Sequence, residues 1–136
     1  MVAGYSSTPL ARKLGVKEGS VVAMVHAPGD FTLDVESSVT VRRTLRGAPD
    51  VILAFFVTRD SLEREIAELG RAIFPSSALW TAWPKRASNV TTDLTDEVVR
   101  DVALPLGLVD NKVCAVDATW SALRLVWRVS ERPTAP

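Results

Sequence analysis

Cysteine, histidine and long hydrophobic runs are scarce in this sequence of 136 residues. The single cysteine, Cys114, excludes an internal disulfide and a cysteine-rich zinc site, so we expect a reducing, cytoplasmic setting and no metal. The longest apolar run, Val51 to Val57, falls well short of the roughly 20 residues that a membrane helix requires. The first residues lack the basic start and apolar core of a secretory signal. We therefore expect no membrane partner and no secretion.

The sequence has no excess of positive or negative charge, because sixteen basic residues balance sixteen acidic ones. A neutral chain has no broad positive field, so nucleic acid is not an expected partner. The remaining composition, 47% hydrophobic and 24% charged, is typical of a folded globular protein. The length suits one domain. We predict a single domain over residues 1–130, with an N-terminal arm at 1–8 and a loose tail at 131–136.

Strand-like and helix-like segments alternate along the chain. Apolar residues three and four positions apart predict a short helix at 9–14, a long helix from Asp60 to Pro75 and a third helix from Thr95 to Pro105. Asp60 and Glu63 have the spacing of a capping box, which predicts that the long helix begins there. Runs of apolar and β-branched residues predict strands at 20–25, 39–43, 51–57, 78–83, 112–117 and 123–129.

This order predicts an α/β fold: a three-layer, Rossmann-like domain with a mostly parallel sheet and helices on both faces. The segment Val51–Val57 is apolar on both faces, which is typical of a central strand. The last two strands are too close in sequence for a crossover helix. We therefore expect them to form an antiparallel hairpin at the C-terminal edge of the sheet.

Four segments of the chain carry a specific sequence pattern: Gly4–Leu10, Trp80–Lys85, Thr92–Thr95 and Val113–Ser121. This pattern resembles that of a family of small, mainly actinobacterial proteins catalogued as a domain of unknown function. The resemblance spans nearly the whole chain and implies a bacterial source. It implies no activity, so function has to be argued from the residues themselves.

The order of the last strands resembles the second half of the Rossmann-like methyltransferase fold. The resemblance implies a glycine-rich turn after the first strand, for approach to the cofactor, and an acidic residue after the second strand, for its ribose. Here the first turn is His26–Gly29, which has one glycine and a proline, Pro28, that lacks an N–H donor. The second strand ends in Arg42–Thr44, without an acid. We therefore expect no cofactor, neither S-adenosylmethionine nor a dinucleotide.

The candidate site lies beyond the carboxyl ends of the strands, where open α/β sheets bind ligands. The loops predicted at that edge carry a histidine, two cations, two indoles, hydroxyls and a carboxylate. The candidate ligand-binding residues are His26, Thr58, Trp83, Lys85, Arg86, Asp117, Trp120 and Ser121. Such a set suits a small anionic or planar ligand, and the alternative is a set of ordinary loop residues.

No residue stands out as catalytic. A general base needs a partner within hydrogen-bond reach, and the sequence identifies none for His26, so a plain loop histidine is the simpler interpretation. Cys114 lies in the middle of a strand, where burial would keep its thiol unreactive. Trp80 and Trp83 are three positions apart on a strand and point to opposite faces. Trp80 is expected in the core, and Trp83 either stacks on a ligand or packs on a helix.

These observations favour a non-catalytic Rossmann-like module that binds a small ligand or a protein. The alternative is a degenerate methyltransferase-like transferase that uses an adenosyl or nucleotide cofactor. Nucleic-acid binding through Trp83, Lys85 and Arg86 is a third interpretation, which the neutral charge disfavours. Two apolar side chains on the terminal strand, Trp127 and Val129, leave room for a homodimer through a sheet edge.

Overall fold

The computed structural model describes residues 9–132. The predicted N-terminal arm at 1–8 and the last four residues of the predicted tail, 133–136, lie outside the described residues. The helices and strands, in chain order, are α1 (Leu10–Lys13), β1 (Val21–Val25), β2 (Thr40–Arg42), β3 (Val51–Phe55), α2 (Arg59–Ile73), β4 (Ala78–Pro84), α3 (Asp96–Ala103), β5 (Leu108–Ala115) and β6 (Trp120–Trp127). Short 3-10 turns occupy Arg86–Ser88, Leu104–Leu106 and Val129–Glu131.

The six strands form one sheet in the order β2-β1-β3-β4-β6-β5. The first four are mutually parallel. Strand β6 lies between β4 and β5 and is antiparallel to both. This arrangement confirms the predicted Rossmann-like α/β fold with an antiparallel C-terminal end. It also shows that β5, and not the last strand, forms the C-terminal edge of the sheet, while β2 forms the other edge. The terminal strand therefore offers no free edge for a homodimer.

Strand β3 occupies the centre of the parallel part, with β1 on one side and β4 on the other. All five of its residues are buried. Both faces are covered, and this explains why the segment that begins at Val51 has no polar position. The sequence prediction of a central strand is confirmed.

One face of the sheet is covered by α2 and α3. Helix α2 buries the stripe Leu62, Ile66, Leu69 and Ile73, as its spacing predicted. Each such side chain contributes about 1.5 to 3 kcal/mol on burial, so this stripe is the main attachment of the helix to the sheet.

The start of α2 differs from the prediction of a capping box at Asp60. The helix begins at Arg59, and Thr58 is its N-cap: the Thr58 hydroxyl oxygen accepts a hydrogen bond from the Ser61 N–H at 3.1 Å. The extended backbone of Thr58 places its short hydroxyl side chain over the first free N–H groups, which explains the shift. Thr95 caps α3 in the same way.

The opposite face is covered by the one-turn helix α1 and by the long segment that joins β1 to β2. Leu14, Phe31 and Leu33 from this cover are buried against Trp80 and its neighbours. No long helix packs on this side among residues 9–132. The cover is therefore thinner here, and loop residues line the spaces between it and the sheet.

Strand β6 begins earlier than the sequence predicted, at Trp120, where a turn was expected. Its first residues pair with the end of β4, from Trp120 opposite Pro84 to Leu125 opposite Leu79. Strand β5 likewise begins earlier, at Leu108, and contains a register shift between Asp110 and Lys112. Pairing partners far along the chain decided these boundaries, which local patterns do not encode.

Candidate functional site

The sheet divides the candidate residues between its two faces. Trp83 packs in the hydrophobic cluster beneath α2 and α3, whereas Trp120 packs in the cluster beneath α1. They lie on neighbouring strands, with Ser121 opposite Trp83 and Trp120 opposite Pro84. The backbone of the sheet therefore separates the two indoles, and no single pocket contains both. The predicted opposite orientation of Trp80 and Trp83 is confirmed by the same two clusters.

A cavity of about 500 Å³ lies on the α2–α3 side of the carboxyl edge, and we call it the helix-side cavity. Trp83 and Arg86 are the candidate residues in its wall, and the threonines Thr91 and Thr92 lie beside them. Its one carboxylate, Asp96, is already ion-paired to Arg100 at 3.0 Å. Trp83 is only 8% exposed, which fits packing on the helical layer better than an open stacking platform.

A second cavity, of about 350 Å³, lies on the α1 side of the same edge, and we call it the loop-side cavity. Trp120 and Phe31 form aromatic walls. Each ring makes a T-shaped contact with the Phe55 ring, at centroid distances of 5.0 Å for Trp120 and 5.1 Å for Phe31. Its charged wall residues are two carboxylates, Asp30 and Asp117. This lining suits a planar ligand with hydrogen-bond donors or a positive charge and disfavours an anion.

Asp117 also orders the turn that precedes β6. Its Oδ1 accepts hydrogen bonds from the N–H groups of Thr119 and Trp120, at 2.8 and 2.9 Å. This is an Asx turn, in which a short carboxylate takes the place of a backbone acceptor. The turn fixes Trp120 at the cavity wall. An Asp two positions before a Thr was the signal in the sequence that could have revealed it.

Lys85 lies next to this turn and connects the two sides. Its backbone N–H donates to the Thr119 carbonyl oxygen at 2.7 Å, and its own carbonyl oxygen accepts from the Ser88 hydroxyl at 2.6 Å. The Lys85 backbone therefore supports the end of β4. Its side chain lines neither the helix-side nor the loop-side cavity.

His26 follows β1 with a left-handed backbone, at a φ of 57°. Its Nε2 lies 2.8 Å from both carboxylate oxygens of Glu65 on α2, and its ring meets the Phe56 ring edge-on at 5.7 Å. An ionised carboxylate only accepts hydrogen bonds, so Nε2 carries the donated proton. The histidine therefore bridges the end of β1 to α2 on the helical side. Glu65 was missed by sequence reasoning because it lies 39 positions away.

Thr58 has its hydroxyl engaged within α2, as the N-cap described above, and it also donates to the Ser61 hydroxyl at 3.0 Å. Two arginines at the end of β2 and just after it, Arg42 and Arg43, hold neighbouring loops. Arg43 donates to the Phe31 carbonyl oxygen, and Arg42 donates to the Arg46 carbonyl oxygen at 3.4 Å. The Arg43 contact fastens the segment between β1 and β2 over the carboxyl edge, and the Arg42 contact holds the turn that follows β2.

Cys114 is half-buried on β5, and burial raises the pKa of its thiol, an effect that the nearby charge of Lys13 opposes.

Within residues 9–132, no group of three or more histidine, cysteine or acidic side chains could hold a metal ion. No helix in that same part of the chain is long and apolar enough to cross a membrane.

Comparisons with known proteins give a clear result for structure only. No family model matches the sequence, and no curated protein matches it. A SAM dependent methyltransferase from Aquifex aeolicus superposes with a TM-score of 0.58 at 14% identity, over 85% of this chain and 86% of that one. A putative type 11 methyltransferase from Sulfolobus solfataricus gives a TM-score of 0.55 at 13% identity, over 92% and 93% of the two chains. The chain has a methyltransferase-like fold.

At these identities the likeness concerns the fold alone. The structure shows what occupies the two positions at which the sequence departs from the methyltransferase pattern. The turn after β1, where the resemblance implies glycines, holds the His26–Glu65 hydrogen bond and Pro28. The end of β2, where it implies an acid, holds Arg43 bonded to the Phe31 carbonyl oxygen. Both positions are thus engaged in contacts within the chain.

Proposed function

We propose that the protein is a non-catalytic Rossmann-like module that binds a small planar ligand in the loop-side cavity. The observation that carries the proposal is the lining of that cavity: Phe31 and Trp120 as aromatic walls, with Asp30 and Asp117 as the charged groups. The volume of about 350 Å³ falls in the range of small-molecule sites. A flat ring with amino or cationic substituents would find the half-buried Trp120 indole as a stacking surface and the two carboxylates as acceptors there.

The residues at the usual cofactor positions support binding without methyl transfer. The His26 ring occupies the end of β1 and is held by two contacts of 2.8 Å to Glu65. Pro28 supplies no N–H group to a ligand. The cation Arg43 follows β2 in place of an acid that would accept ribose hydroxyls. None of these residues provides the acceptor or the close backbone approach that an adenosyl cofactor requires.

The alternative is a degenerate methyltransferase-like transferase. The TM-score of 0.58 with a SAM dependent methyltransferase, over 85% of this chain, favours it because the two chains share a fold. In this alternative the adenosyl group would enter the loop-side cavity, and the carboxylates of Asp30 and Asp117 would accept hydrogen bonds from its amino groups. The two functions therefore share a cavity and differ in ligand and turnover.

A titration with three probes distinguishes them. We would measure binding of adenine, adenosine and S-adenosylmethionine by calorimetry and by Trp fluorescence. The module predicts that adenine binds as well as the larger probes, and that Asp30→Asn and Trp120→Leu each weaken it about tenfold, the equivalent of one lost charge-assisted hydrogen bond or stacking contact. The control Asp34→Asn changes a carboxylate on the same segment that is outside the cavity lining.

Three outcomes would contradict the module. Tight binding of S-adenosylmethionine together with its conversion to the demethylated product would establish the transferase. Equal weakening by Asp34→Asn would mean that the effect is general charge and not the cavity. Absence of binding by any flat ring would remove the ligand class and leave a protein as the partner, which pull-down with the wild type and Trp120→Leu would then examine.

The proposal includes a cytoplasmic setting, for which the single cysteine is the argument, and membership of the small bacterial family that Trp80–Lys85 and Val113–Ser121 resemble. A homodimer through the C-terminal edge of the sheet would use β5, where Val113 is 66% exposed, because β6 is paired on both sides. The Trp127 indole is engaged within the chain, where it donates to the Gly70 carbonyl oxygen. Sedimentation velocity on the wild type and on Val113→Lys would test this: a concentration-dependent dimer that the substitution abolishes supports it, and a monomer throughout contradicts it.

A further inference from the structure

A third cavity lies at the opposite edge of the sheet, where the parallel strands begin, and we call it the N-edge cavity. Its volume is about 630 Å³. The end of α1 and the loop after it form one wall, the starts of β3 and β4 form the floor, and β5 and β6 contribute the far wall. Its charged wall residues are Arg12, Lys13, Lys17, Glu18, Asp50, Lys112 and Arg124. It shares no residue with the loop-side or helix-side cavity.

Five cations and two carboxylates line the N-edge cavity, although the whole chain has no net charge. The ion pairs between lysine or arginine side chains and carboxylates among residues 9–132 all lie elsewhere and involve Arg59, Arg64 and Arg100. The five cations of the cavity therefore have no carboxylate within ion-pair distance in the described part of the chain. A concave surface with such an excess concentrates anions from solution.

The far wall places two of these cations against each other. Lys112 on β5 is directly opposite Arg124 on β6, and like charges at such positions destabilise a sheet. Arg124 is half-buried beside Trp80, its neighbour on β4. Burial lowers the pKa of Arg124, and the charge of Arg132 lowers it further. A bound anion would offset both the repulsion and the lost hydration.

We propose that the N-edge cavity binds a small molecule that carries two adjacent phosphate groups. The guanidinium groups of Arg12 and Arg124 present forked donors that match phosphate oxygens, and the lysines add point charges. Ser76 and Ser77 supply hydroxyl donors at the floor. The volume suits a diphosphate with a modest organic part. This site is independent of the planar-ligand site, because it lies at the other edge of the sheet.

The test uses inorganic pyrophosphate as the probe, because it has the phosphates and no ring. We would measure its binding by calorimetry to the wild type, to the double variant Arg12→Gln/Lys112→Gln and to the control Arg46→Gln, an exposed cation outside the cavity lining. Both substituted positions are exposed, so the fold should survive. We expect saturable binding of pyrophosphate that weakens at higher salt. The double variant should reduce the affinity about tenfold for each removed contact, and the control should bind like the wild type.

Two further measurements locate the site. Amide NMR shifts on addition of pyrophosphate should concentrate at Gly19, Ser76 and Ser77. Without ligand, Lys112→Gln should raise the denaturation midpoint, because it removes the repulsion with Arg124. The proposal is overturned if pyrophosphate shows no saturable binding at low salt, if the double variant binds it like the wild type, or if a glutamate-rich peptide binds more tightly than pyrophosphate.

Discussion

The indole N–H of Trp80 donates a hydrogen bond to the backbone carbonyl oxygen of Leu14, over 2.9 Å. Both side chains are buried, at 1% and 0% exposure. This bond fastens the loop after α1 to the middle of the sheet, on the face that has no long helix. Because α1 and this loop supply Leu10 to the loop-side cavity and Leu14 to the N-edge cavity, one contact positions a wall of each.

Trp80→Phe should lower the free energy of unfolding by about 2 to 4 kcal/mol, since it leaves the Leu14 carbonyl oxygen without its donor and opens a void in the core. Urea denaturation measures this loss. Trp83→Phe removes the same volume from β4, but the Trp83 indole donates no hydrogen bond to any residue within 9–132, so this variant should be about 1 kcal/mol less damaging. Equal losses for the two variants would mean that the hydrogen bond contributes nothing.

Thr81 is a buried polar residue in β4, a strand whose other side chains are apolar. Its side chain is 0% exposed, and its hydroxyl has no hydrogen-bond partner among the described residues. Thr81→Val keeps the shape and removes the unsatisfied group, so it should stabilise the fold by about 1 kcal/mol. The denaturation midpoint in urea checks this. Thr81→Ala, which also removes a methyl group, should instead destabilise, and a loss of stability in Thr81→Val would contradict the assignment.

Asp117 has a structural and a ligand-facing role that two substitutions can separate. Asp117→Ala removes the acceptor for the Thr119 and Trp120 N–H groups and should lower the free energy of unfolding by about 1 kcal/mol or more. Asp117→Asn keeps a carbonyl oxygen at that place, so it should retain stability while it removes one of the two negative charges from the loop-side cavity. Thermal denaturation and adenine titration of both variants report the two roles; a destabilised Asp117→Asn would refute the separation.

Cys114 should give a measurable pH dependence of stability. Burial raises the pKa of its thiol in the folded chain, so the unfolded chain loses the thiol proton first as pH rises. The stabilising contribution is complete below the ordinary thiol pKa of about 8.5 and is lost as pH rises through the folded value. The free energy of unfolding of the wild type should therefore fall relative to that of Cys114→Ala above about pH 8.5. A constant difference between the two proteins across this range would argue against it.

The fold was largely predictable because its signals are local. The apolar run from Val51 marked a strand covered on both faces, and the stripe from Leu62 to Ile73 marked the helical face. The boundaries that failed had two causes, one distant and one local. Trp120 joins β6 because Pro84 lies opposite it, and Thr58 caps α2 through the conformation of its own backbone.

The candidate site was predictable only as an edge of the sheet. The sequence placed Trp83, Asp117 and Trp120 at the carboxyl ends, but their division between two cavities follows from strand pairing. The Glu65 partner of His26 lies on another element, and no spacing rule connects them. The N-edge cavity combines α1, β5 and β6, which are far apart in the chain, so its charge excess was invisible in a neutral composition.

By itself the sequence determined the α/β class, the central strand and the absence of the glycine turn and ribose acid, because periodicity and residue type act over a few neighbouring positions. Only the tertiary structure decided which side chains share a cavity. A sheet has two faces and two ends, and its pairing and register assign each residue to one of them. That assignment separated the two indoles and gathered five cations at the opposite edge.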